Sequence, residues 1–252
     1  IIKKGYIKGI IGLPANLFYG TGIPACIIVI DKEDAEERTG IFMIDASKGY
    51  IKDGNKNRLR EQDIHKIVDV FNKQIELPKY SRFVTNEEIA DTKNDFNLNI
   101  PRYIDSQEVE DIQDIEAHLR GGIPQRDVEA LSDYWMAYPS LKDTLFASSN
   151  RNGYVNPKVE KGYIKQTIFD NPDFKAFSAD MSTVFRTWAN SVSKELKVLE
   201  IGFNPKEIIG RISESLLAIY SDRPLMDKYD VYQHLMNYWN EVMQDDQYLI
   251  SE

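Results

Sequence analysis

The stretch Gly12–Ile30 reads GLPANLFYGTGIPACIIVI and combines a loop with a strand. In the loop, the Gly residues permit positive φ angles or a close backbone approach, and Pro14 and Pro24 stiffen its two edges. The second half, Ile23–Ile30, is a nearly continuous apolar run, which predicts a strand buried on both faces. A loop at the end of a buried strand lies where open α/β sheets bind ligands.

Further strands are predicted on either side of this stretch. Tyr6–Leu13 is a short apolar run, and Gly40–Ala46 predicts a third strand after the charged turn Asp31–Gly40. Glu61–Phe71 carries apolar residues at helical spacing and predicts a short amphipathic helix. These strands are too few to close a sheet, so we expect more sheet upstream of residue 1. The chain begins without Met, and both of its ends are expected to be cuts through a longer protein.

The remainder of the chain divides into a connector and a helical region. Residues 76–104 are interpreted as a connector in which Phe83-Val84 forms a short strand and residues 86–95 have no predicted structure. From Asp105 the pattern is helical, because Asp105 and Glu108 have the spacing of a capping box. Val109, Ile112, Ile115 and Leu119 then mark one helical face.

Start signals for later helices recur along the chain. Pro124 is predicted to begin a helix that carries Val128 to Tyr138. Asn171-Pro172 and Asn204-Pro205 each predict an N-cap followed by a first-turn proline, and a last helix carries Val231 to Val242. The predicted fold class is therefore α/β plus α, with strands and a helix in residues 1–75, a connector in 76–104 and an α-helical domain in 105–252.

Composition excludes several classes of protein. The 252-residue chain has a formal net charge of -9. A protein that binds nucleic acid without a partner subunit usually has a surplus of basic residues. One Cys and three His argue against a structural zinc site, and Cys26 is predicted to be a buried, inert thiol because its neighbours are apolar. No run reaches the roughly 18 apolar residues of a membrane span. Because a single Cys allows no internal disulfide, the reducing cytoplasm is the expected location.

Five segments, in this order, resemble the modification (methyltransferase) subunit of type I restriction–modification systems. They are the loop and strand Gly12–Ile30, then Ile41–Ser47 (IFMIDAS), Asn94–Ile104 (NDFNLNIPRYI), Asp114–Pro124 (DIEAHLRGGIP) and Tyr229–Met236 (YDVYQHLM). The resemblance implies the C-terminal part of a Rossmann-like methyltransferase sheet followed by a mainly helical domain. It implies that the parent protein transfers a methyl group from S-adenosylmethionine to the N6 of adenine in DNA.

The chain also departs from that family's pattern. It lacks the glycine-rich cofactor loop and the Asn-Pro-Pro-aromatic motif, because Asn156-Pro157, Asn171-Pro172 and Asn204-Pro205 are each followed by a non-Pro residue. We therefore expect the catalytic and cofactor residues to lie upstream and this chain alone to be inactive. The resemblance further implies a specificity subunit and a restriction subunit as partners, with DNA contacted through the assembled complex and no membrane.

The resemblance suggests one edge of the substrate pocket. Enzymes that modify a base extrude it and stack it on aromatic side chains. The residues predicted to line that pocket are Phe18, Tyr19, Gly20, Thr21, Gly22, Ile23 and Pro24. A tight hairpin whose aromatics only cover the core is the alternative interpretation.

Other polar residues have a structural and a functional interpretation. His118 is expected to cap a helix end rather than act in catalysis, and His65 and His234 to pack or face solvent. Asp45 follows a strand, where it is either functional or a cap for Ser47. Asp63 is expected on a solvated face or as a helix cap, as is the acidic cluster 108–114.

Two surface features remain open. Arg102 is either a DNA-phosphate contact or a packing residue beside Tyr103. The aromatic stripe of the long helix, with Phe174, Phe177, Phe185 and Trp188, is either intramolecular core or a docking face for the specificity subunit. The alternative function is accordingly a helical protein-interaction module without a catalytic role of its own.

Overall fold

The computed structural model describes residues 1–107 and 112–252. The chain forms two compact units, Ile1–Val109 and Glu110–Glu252, each of which is described by itself. The capping-box residue Glu108 and the predicted helix residue Val109 lie outside the described residues.

The first unit is built on a four-stranded mixed sheet, whose strands are in the order β2 (Cys26–Ile30), β1 (Ile7–Gly12), β3 (Gly40–Asp45) and β6 (Ser81–Thr85). Strands β1 and β3 are parallel, and the outer strands β2 and β6 run antiparallel to their neighbours. In chain order, its elements are β1 (Ile7–Gly12), β2 (Cys26–Ile30), β3 (Gly40–Asp45), β4 (Ile51–Asp53), β5 (Lys56–Arg58), α1 (Glu61–Lys73), β6 (Ser81–Thr85) and α2 (Asn86–Ala90).

Strand β3 is the centre of this unit, and all six of its residues are buried. Alternate side chains point to opposite faces of the sheet, so Met43 joins one apolar cluster and Phe42 the other. Helix α1 covers the Phe42 face, where Phe42 and Phe71 meet edge to face with ring centroids 6.3 Å apart. Residues of 89–104, including Ile89 and Ile100, cover the Met43 face.

The predicted burial of Ile23–Ile30 on both faces is wrong. The strand is shorter, starting at Cys26, and pairs only with β1 among the described residues. As a consequence Ile28 and Ile30 are about half exposed, at 50% and 57%. Cys26 is exposed as well, which corrects the predicted buried thiol. An apolar run is buried only where a neighbouring element covers it, and β2 is an edge strand.

The region interpreted as a connector contributes to the sheet and its core. Strand β6 pairs antiparallel with β3, which confirms the predicted strand at Phe83-Val84. Helix α2 begins directly after it, with Thr85 Oγ1 accepting a hydrogen bond from the Glu88 N–H, where no structure was predicted. The domain boundaries at 75 and 104 stay a prediction.

The second unit is mainly helical and also contains a small sheet. In chain order its elements are α3 (Ile115–Arg120), β7 (Ile123–Pro124), α4 (Gln125–Glu129), α5 (Ser132–Ala137), α6 (Leu141–Leu145), β8 (Phe146–Ser148), β9 (Tyr154–Pro157), α7 (Ile164–Asp170), α8 (Pro172–Leu196), α9 (Pro205–Tyr220), α10 (Lys228–Tyr238) and α11 (Gln244–Ser251). A π-helical turn, Trp239–Met243, joins the last two.

Two helix predictions in this unit are wrong in their bounds. The first helix begins at Ile115, with Asp114 as its N-cap, rather than at Asp105, and its predicted apolar residues Ile112, Ile115 and Leu119 are exposed. The single helix predicted after Pro124 is two short helices, α4 and α5. The second unit also has the three-stranded sheet β7-β9-β8 within the predicted helical domain.

The long helix α8 starts as predicted. The Asn171 side chain accepts hydrogen bonds from the Asp173 and Phe174 amides, and Pro172 occupies the first turn. Phe174 and Phe177 pack on the buried ring of Tyr138, with ring centroids 5.6 and 5.5 Å apart. Asn204 caps α9 in the same way, through the Lys206 amide.

Mixed sheet and helices together agree with an α/β fold followed by helices, and the Rossmann-like assignment stays a prediction. Within residues 1–107 and 112–252, no helix combines the length and the apolar character that a membrane crossing requires.

Candidate functional site at the carboxyl edge of the sheet

The carboxyl ends of the two parallel strands bring two segments of interest together. Gly12, the last residue of β1, is the register partner of Asp45, the last residue of β3. The Ala46 N–H donates to the Gly12 carbonyl oxygen at 2.9 Å and extends this pairing by one residue. Loop 13–25 and the turn after Asp45 therefore leave the same edge of the sheet, the edge at which α/β sheets bind ligands.

Loop 13–25 has a fixed base and an exposed tip. At the base, Leu13 and Pro14 are buried, and the Leu13 N–H donates to the Ala25 carbonyl oxygen at 2.8 Å. At the tip all seven predicted pocket residues are exposed, with Tyr19 at 91% and Phe18 at 57%. These aromatics do not cover the core, which argues against the alternative of a hairpin that shields apolar residues.

The tip is shaped by local hydrogen bonding and by glycine. Gly20 has a φ of 80°, a value that L side chains rarely adopt. Thr21 Oγ1 accepts a hydrogen bond from the Ile23 N–H at 3.1 Å, which turns the chain toward Pro24. The loop thus presents its aromatic rings outward from a defined turn.

The hairpin β4–β5 holds the base of this loop. Asn57 is buried, and its Nδ2 donates to the Ala15 carbonyl oxygen at 2.7 Å. Its backbone N–H donates to the Asn16 carbonyl oxygen at 3.0 Å. Sequence reasoning missed this connection; the only local signal is a Gly-Asn turn between two short polar segments.

A cation of the same hairpin lies against the loop's exposed aromatic. The Nζ of Lys56 is 2.6 Å from the centroid of the Tyr19 ring. It is buried and has no hydrogen-bond partner among the residues that the structure describes. Burial lowers the pKa of this ammonium group. The contact places one charged and one aromatic group side by side at the tip of the site.

The two carboxylates of this edge have structural partners. Asp45 is buried, and its Oδ1 accepts a hydrogen bond from the Ser47 N–H at 3.0 Å, which confirms the predicted cap. Asp63 is a helix cap as predicted, but it is buried rather than solvated. Arg60 grips Asp63 with two side-chain N–H groups, each 2.9 Å from a carboxylate oxygen.

A tyrosine behind these carboxylates has a perturbed acidity. Burial raises the pKa of the Tyr80 phenol, and the negative charges of Asp63 and Asp45 raise it further. The phenol of Tyr80 therefore ionises at a higher pH than the phenol of an ordinary tyrosine side chain.

The remaining sequence candidates lie elsewhere. Arg102 is exposed and donates to the Lys93 carbonyl oxygen at 3.1 Å, and the neighbouring Tyr103 is buried. His118 lies in the last turn of α3, but its Nε2 contacts Gln113 Oε1 at 3.0 Å rather than a helix-end carbonyl. The described residues contain no group of three His, Cys, Asp or Glu side chains that could hold a metal ion.

The second unit contains an apolar cavity of about 560 Å³. Helices α8, α9 and α10 and the π-helical turn contribute its walls, which include Trp188, Leu216 and Trp239. Phe185, from the predicted aromatic stripe, lines this cavity and is 48% exposed. The stripe is therefore split, because Phe174 and Phe177 pack inside the unit on Tyr138 whereas Phe185 borders an open cavity.

A comparison with known protein families agrees with the methyltransferase resemblance of the sequence segments in the first unit. Residues 1–112 match the N-6 DNA Methylase family. The matched residues include the sheet, loop 13–25 and the hairpin β4–β5. We refer to residues 1–112 as the N-6 DNA methylase region. The predicted resemblance is confirmed for this region, whereas the segments Asp114–Pro124 and Tyr229–Met236 lie outside the matched residues and stay predictions.

Several curated proteins are similar to this chain. The type I restriction enzyme MjaVII methylase subunit of Methanocaldococcus jannaschii is 41% identical over 117 residues, which are 44% of this chain and 20% of that protein. The MpnII methylase subunit of Mycoplasma pneumoniae is 29% identical over 116 residues, 46% of this chain and 21% of that protein. The chain therefore spans about a fifth of the length of these relatives.

Solved structures are similar as well, among them the following one. It is the methyltransferase subunit of a type I restriction–modification system from Streptococcus thermophilus, with 38% sequence identity and a TM-score of 0.38. The likeness covers 42% of this chain and 22% of that chain.

Residues 1–107 do not fit S-adenosylmethionine, the cofactor that the resemblance implies. A cofactor site of that kind needs a glycine-rich turn from a strand into a helix. In residues 1–107, β1 leads through loop 13–25 into the antiparallel β2, and β3 leads into the hairpin β4–β5. The direct passage from β6 into α2 has no glycine. We therefore derive no role for this chain in holding the cofactor.

Proposed function

We propose that this chain is part of the adenine-N6 DNA methyltransferase subunit of a type I restriction–modification system. The parent protein would transfer a methyl group from S-adenosylmethionine to adenine in DNA, with the cofactor and the catalytic residues supplied by other parts of that protein. The proposal includes a specificity subunit and a restriction subunit as partners and a cytoplasmic location. By itself, the chain is expected to be inactive.

One observation carries this proposal. Loop 13–25 leaves the carboxyl edge of the parallel strands β1 and β3 with its aromatic residues exposed, and it lies inside the N-6 DNA methylase region. An exposed ring at a ligand-binding edge is suited to stack on a base that has left the duplex. The role of this chain is therefore to supply one wall of the pocket for the extruded adenine, formed by residues 18–24.

The test is a methylation assay of the complete methyltransferase with Tyr19→Ala or Thr21→Ala. Stacking of a base on an aromatic ring contributes about 1–3 kcal/mol, so we expect Tyr19→Ala to slow methyl transfer roughly 10-fold. The melting temperature should be unchanged because Tyr19 is 91% exposed. Tyr163→Ala is the matched control, since this tyrosine is also exposed but lies in the second unit.

Two results would contradict the proposal. Unchanged methylation kinetics for both variants would show that residues 18–24 do not line the substrate pocket. If the complete parent protein transfers no methyl group to adenine-containing DNA, the proposed activity itself is wrong.

The cavity of the second unit favours a second function for the helical part. We propose that the apolar cavity bordered by Phe185 and Trp188 receives the specificity subunit, so that the helical unit acts as an interaction module. Co-expression with the specificity subunit, followed by size-exclusion chromatography with light scattering, tests this. A complex that is lost with Phe185→Asp supports it, and separate elution of the unaltered chain contradicts it.

A further inference from the structure

Positive charge is concentrated next to the candidate site. Residues 48–60 contain five Lys or Arg residues and one Asp, a formal charge of +4 in a chain whose net charge is -9. This short segment is the hairpin β4–β5 with its two flanks. The overall acidity of the chain therefore hides a local basic patch.

Not all five cations of this segment are available to a ligand. Arg60 grips the buried Asp63, and Lys48 donates to the Ser106 carbonyl oxygen. The other three, Lys52, Lys56 and Arg58, lie on the hairpin itself. Arg58 has an ion pair to Asp53 at 3.3 Å, but both side chains are more than 60% exposed, so water screens this pair.

Aromatic rings alternate with these cations. Lys56 Nζ lies over Tyr19, and Lys52 Nζ lies 5.6 Å from the centroid of the Tyr50 ring. The hairpin tip projects freely, because a side chain placed on Gly54 would meet no atom within 4 Å. Cations interleaved with aromatic rings on an open element are typical of surfaces that follow a nucleic-acid backbone.

The hairpin is also held in place relative to the pocket loop. Asn57 bonds to the carbonyl oxygens of Ala15 and Asn16 through its side chain and its backbone, respectively. Its neighbour Lys56 lies against Tyr19, one of the residues 18–24. A phosphate bound at the hairpin would lie next to the base held by the loop.

From these contacts we propose that the hairpin β4–β5 binds the DNA phosphate backbone through Lys52, Lys56 and Arg58, beside the extruded adenine. This inference rests on the proposed function, since it takes DNA as the substrate. The Lys56 ammonium gains most from such a contact, because it is buried without a hydrogen-bond partner among the described residues. The phosphate oxygens would supply that partner when Tyr19 turns to stack on the base.

The experiment measures DNA binding by the complete methyltransferase over a range of salt concentrations. The test variant is Lys52→Gln, Lys56→Gln and Arg58→Gln combined. Each lost phosphate contact reduces the slope of log K against log salt by about 0.9, so the expected loss is roughly 2 to 3. The variant Lys52→Arg, Lys56→Arg and Arg58→Lys keeps the charge and should restore most of the slope.

A matched control distinguishes the effect of the hairpin cations from the effect of a lower net charge. Lys161, Lys165 and Lys206 are exposed lysines of the second unit, and their combined change to Gln removes the same three charges. We expect this control to keep the salt slope of the unaltered protein. A hairpin variant that loses no more slope than the control overturns the inference.

The outcomes also distinguish this inference from the proposed function. If the unaltered complex methylates DNA and the hairpin variant keeps the full salt slope, the function stands and the hairpin contact is wrong. If the unaltered complex neither methylates nor binds DNA, the proposed function is wrong and the inference falls with it. Circular dichroism of the hairpin variant should match that of the unaltered protein, since Lys52 and Arg58 are exposed and Lys56 belongs to neither apolar cluster of the first unit.

Discussion

Asn57 holds Ala15 at the base of the pocket loop through one side-chain hydrogen bond of 2.7 Å from Nδ2 to the carbonyl oxygen. The bond joins a hairpin and a loop that are 42 residues apart in the chain. Asn57 thereby links the loop to the hairpin β4–β5.

Replacing Asn57 with Ala should therefore loosen loop 13–25. The Ala15 carbonyl oxygen would lose its partner, at a cost of about 1–3 kcal/mol if it stays out of water. Hydrogen exchange of the loop amides should become faster, while the amides of β3 stay protected. Asn55→Ala at the exposed hairpin tip is the control, and equal exchange in both variants would contradict the role of Asn57.

Gly9 on β1 allows α1 to approach the sheet closely. A Cβ at this position would collide with the Phe71 ring and lie 2.7 Å from the Phe42 carbonyl oxygen. Gly9→Ala is expected to destabilise the first unit by about 1–3 kcal/mol, the usual cost of overpacking. The loss can be measured from the hydrogen exchange of the β3 amides.

The same substitution at Gly210 supplies the control for Gly9. Gly210 lies within α9, and a Cβ there would meet no atom within 4 Å. Gly210→Ala should stabilise the helix by about 0.5–1 kcal/mol, because alanine loses less backbone freedom than glycine. Effects of the same sign at both positions would show that space at Gly9 is not the cause.

Asn171, the N-cap of α8, should contribute more to stability than Asn204, the N-cap of α9. It is 5% exposed, it accepts hydrogen bonds from two backbone amides of α8, and its Nδ2 donates to Ser140 Oγ at 3.1 Å. Asn171→Ala is expected to cost about 1–2 kcal/mol. Asn204→Ala, at the exposed cap of α9, should cost less, since its side chain accepts from the Lys206 amide alone.

Tryptophan fluorescence can follow both cap variants during urea unfolding. All three tryptophans, Trp135, Trp188 and Trp239, lie in the second unit, so the signal reports that unit. Asn171→Asp should recover only part of the lost stability, because it keeps an acceptor at the N-terminus of the helix but loses the donor to Ser140 Oγ. A larger loss at Asn204 than at Asn171 would contradict the importance assigned to burial.

Tyr80 should make the first unit sensitive to alkaline pH. Burial and the nearby Asp63 and Asp45 raise its pKa in the folded protein above the value of about 10 in the unfolded chain. Above that pH the unfolded chain releases the phenol proton while the folded protein retains it, so stability falls as pH rises. Below about pH 10 the phenol is neutral in both states, and stability does not depend on this group.

Tyr80→Phe removes this contribution and should flatten the fall in stability between about pH 10 and 12. Ultraviolet difference titration should show that the unaltered protein has one tyrosine, absent from the variant, that ionises late. Tyr163→Phe is the control, because Tyr163 is exposed, and this variant should keep the late-ionising tyrosine of the unaltered protein. Early ionisation of Tyr80 would contradict its burial.

Local sequence was sufficient for several elements and for the family. The apolar run of β3, the amphipathic pattern of α1 and the Asn-Pro signals before α8 and α9 each depend on neighbours a few residues away. Loop 13–25 could be identified as a candidate site from its Gly and Pro residues and from the family resemblance. Such features are local, because a cap or a turn is formed by residues adjacent in the chain.

Only the tertiary structure decided which apolar and polar groups are covered. Ile23–Ile30 has the composition of a buried strand, but β2 lies at an edge and is largely exposed. Asp63 is a charged residue of the kind expected at the surface, but it is buried and forms an ion pair with Arg60. The tether from Asn57 to Ala15 likewise depends on two segments that the sheet brings together. Burial and long-range hydrogen bonds depend on which elements become neighbours in space, and the local spacing of residues carries little information about that.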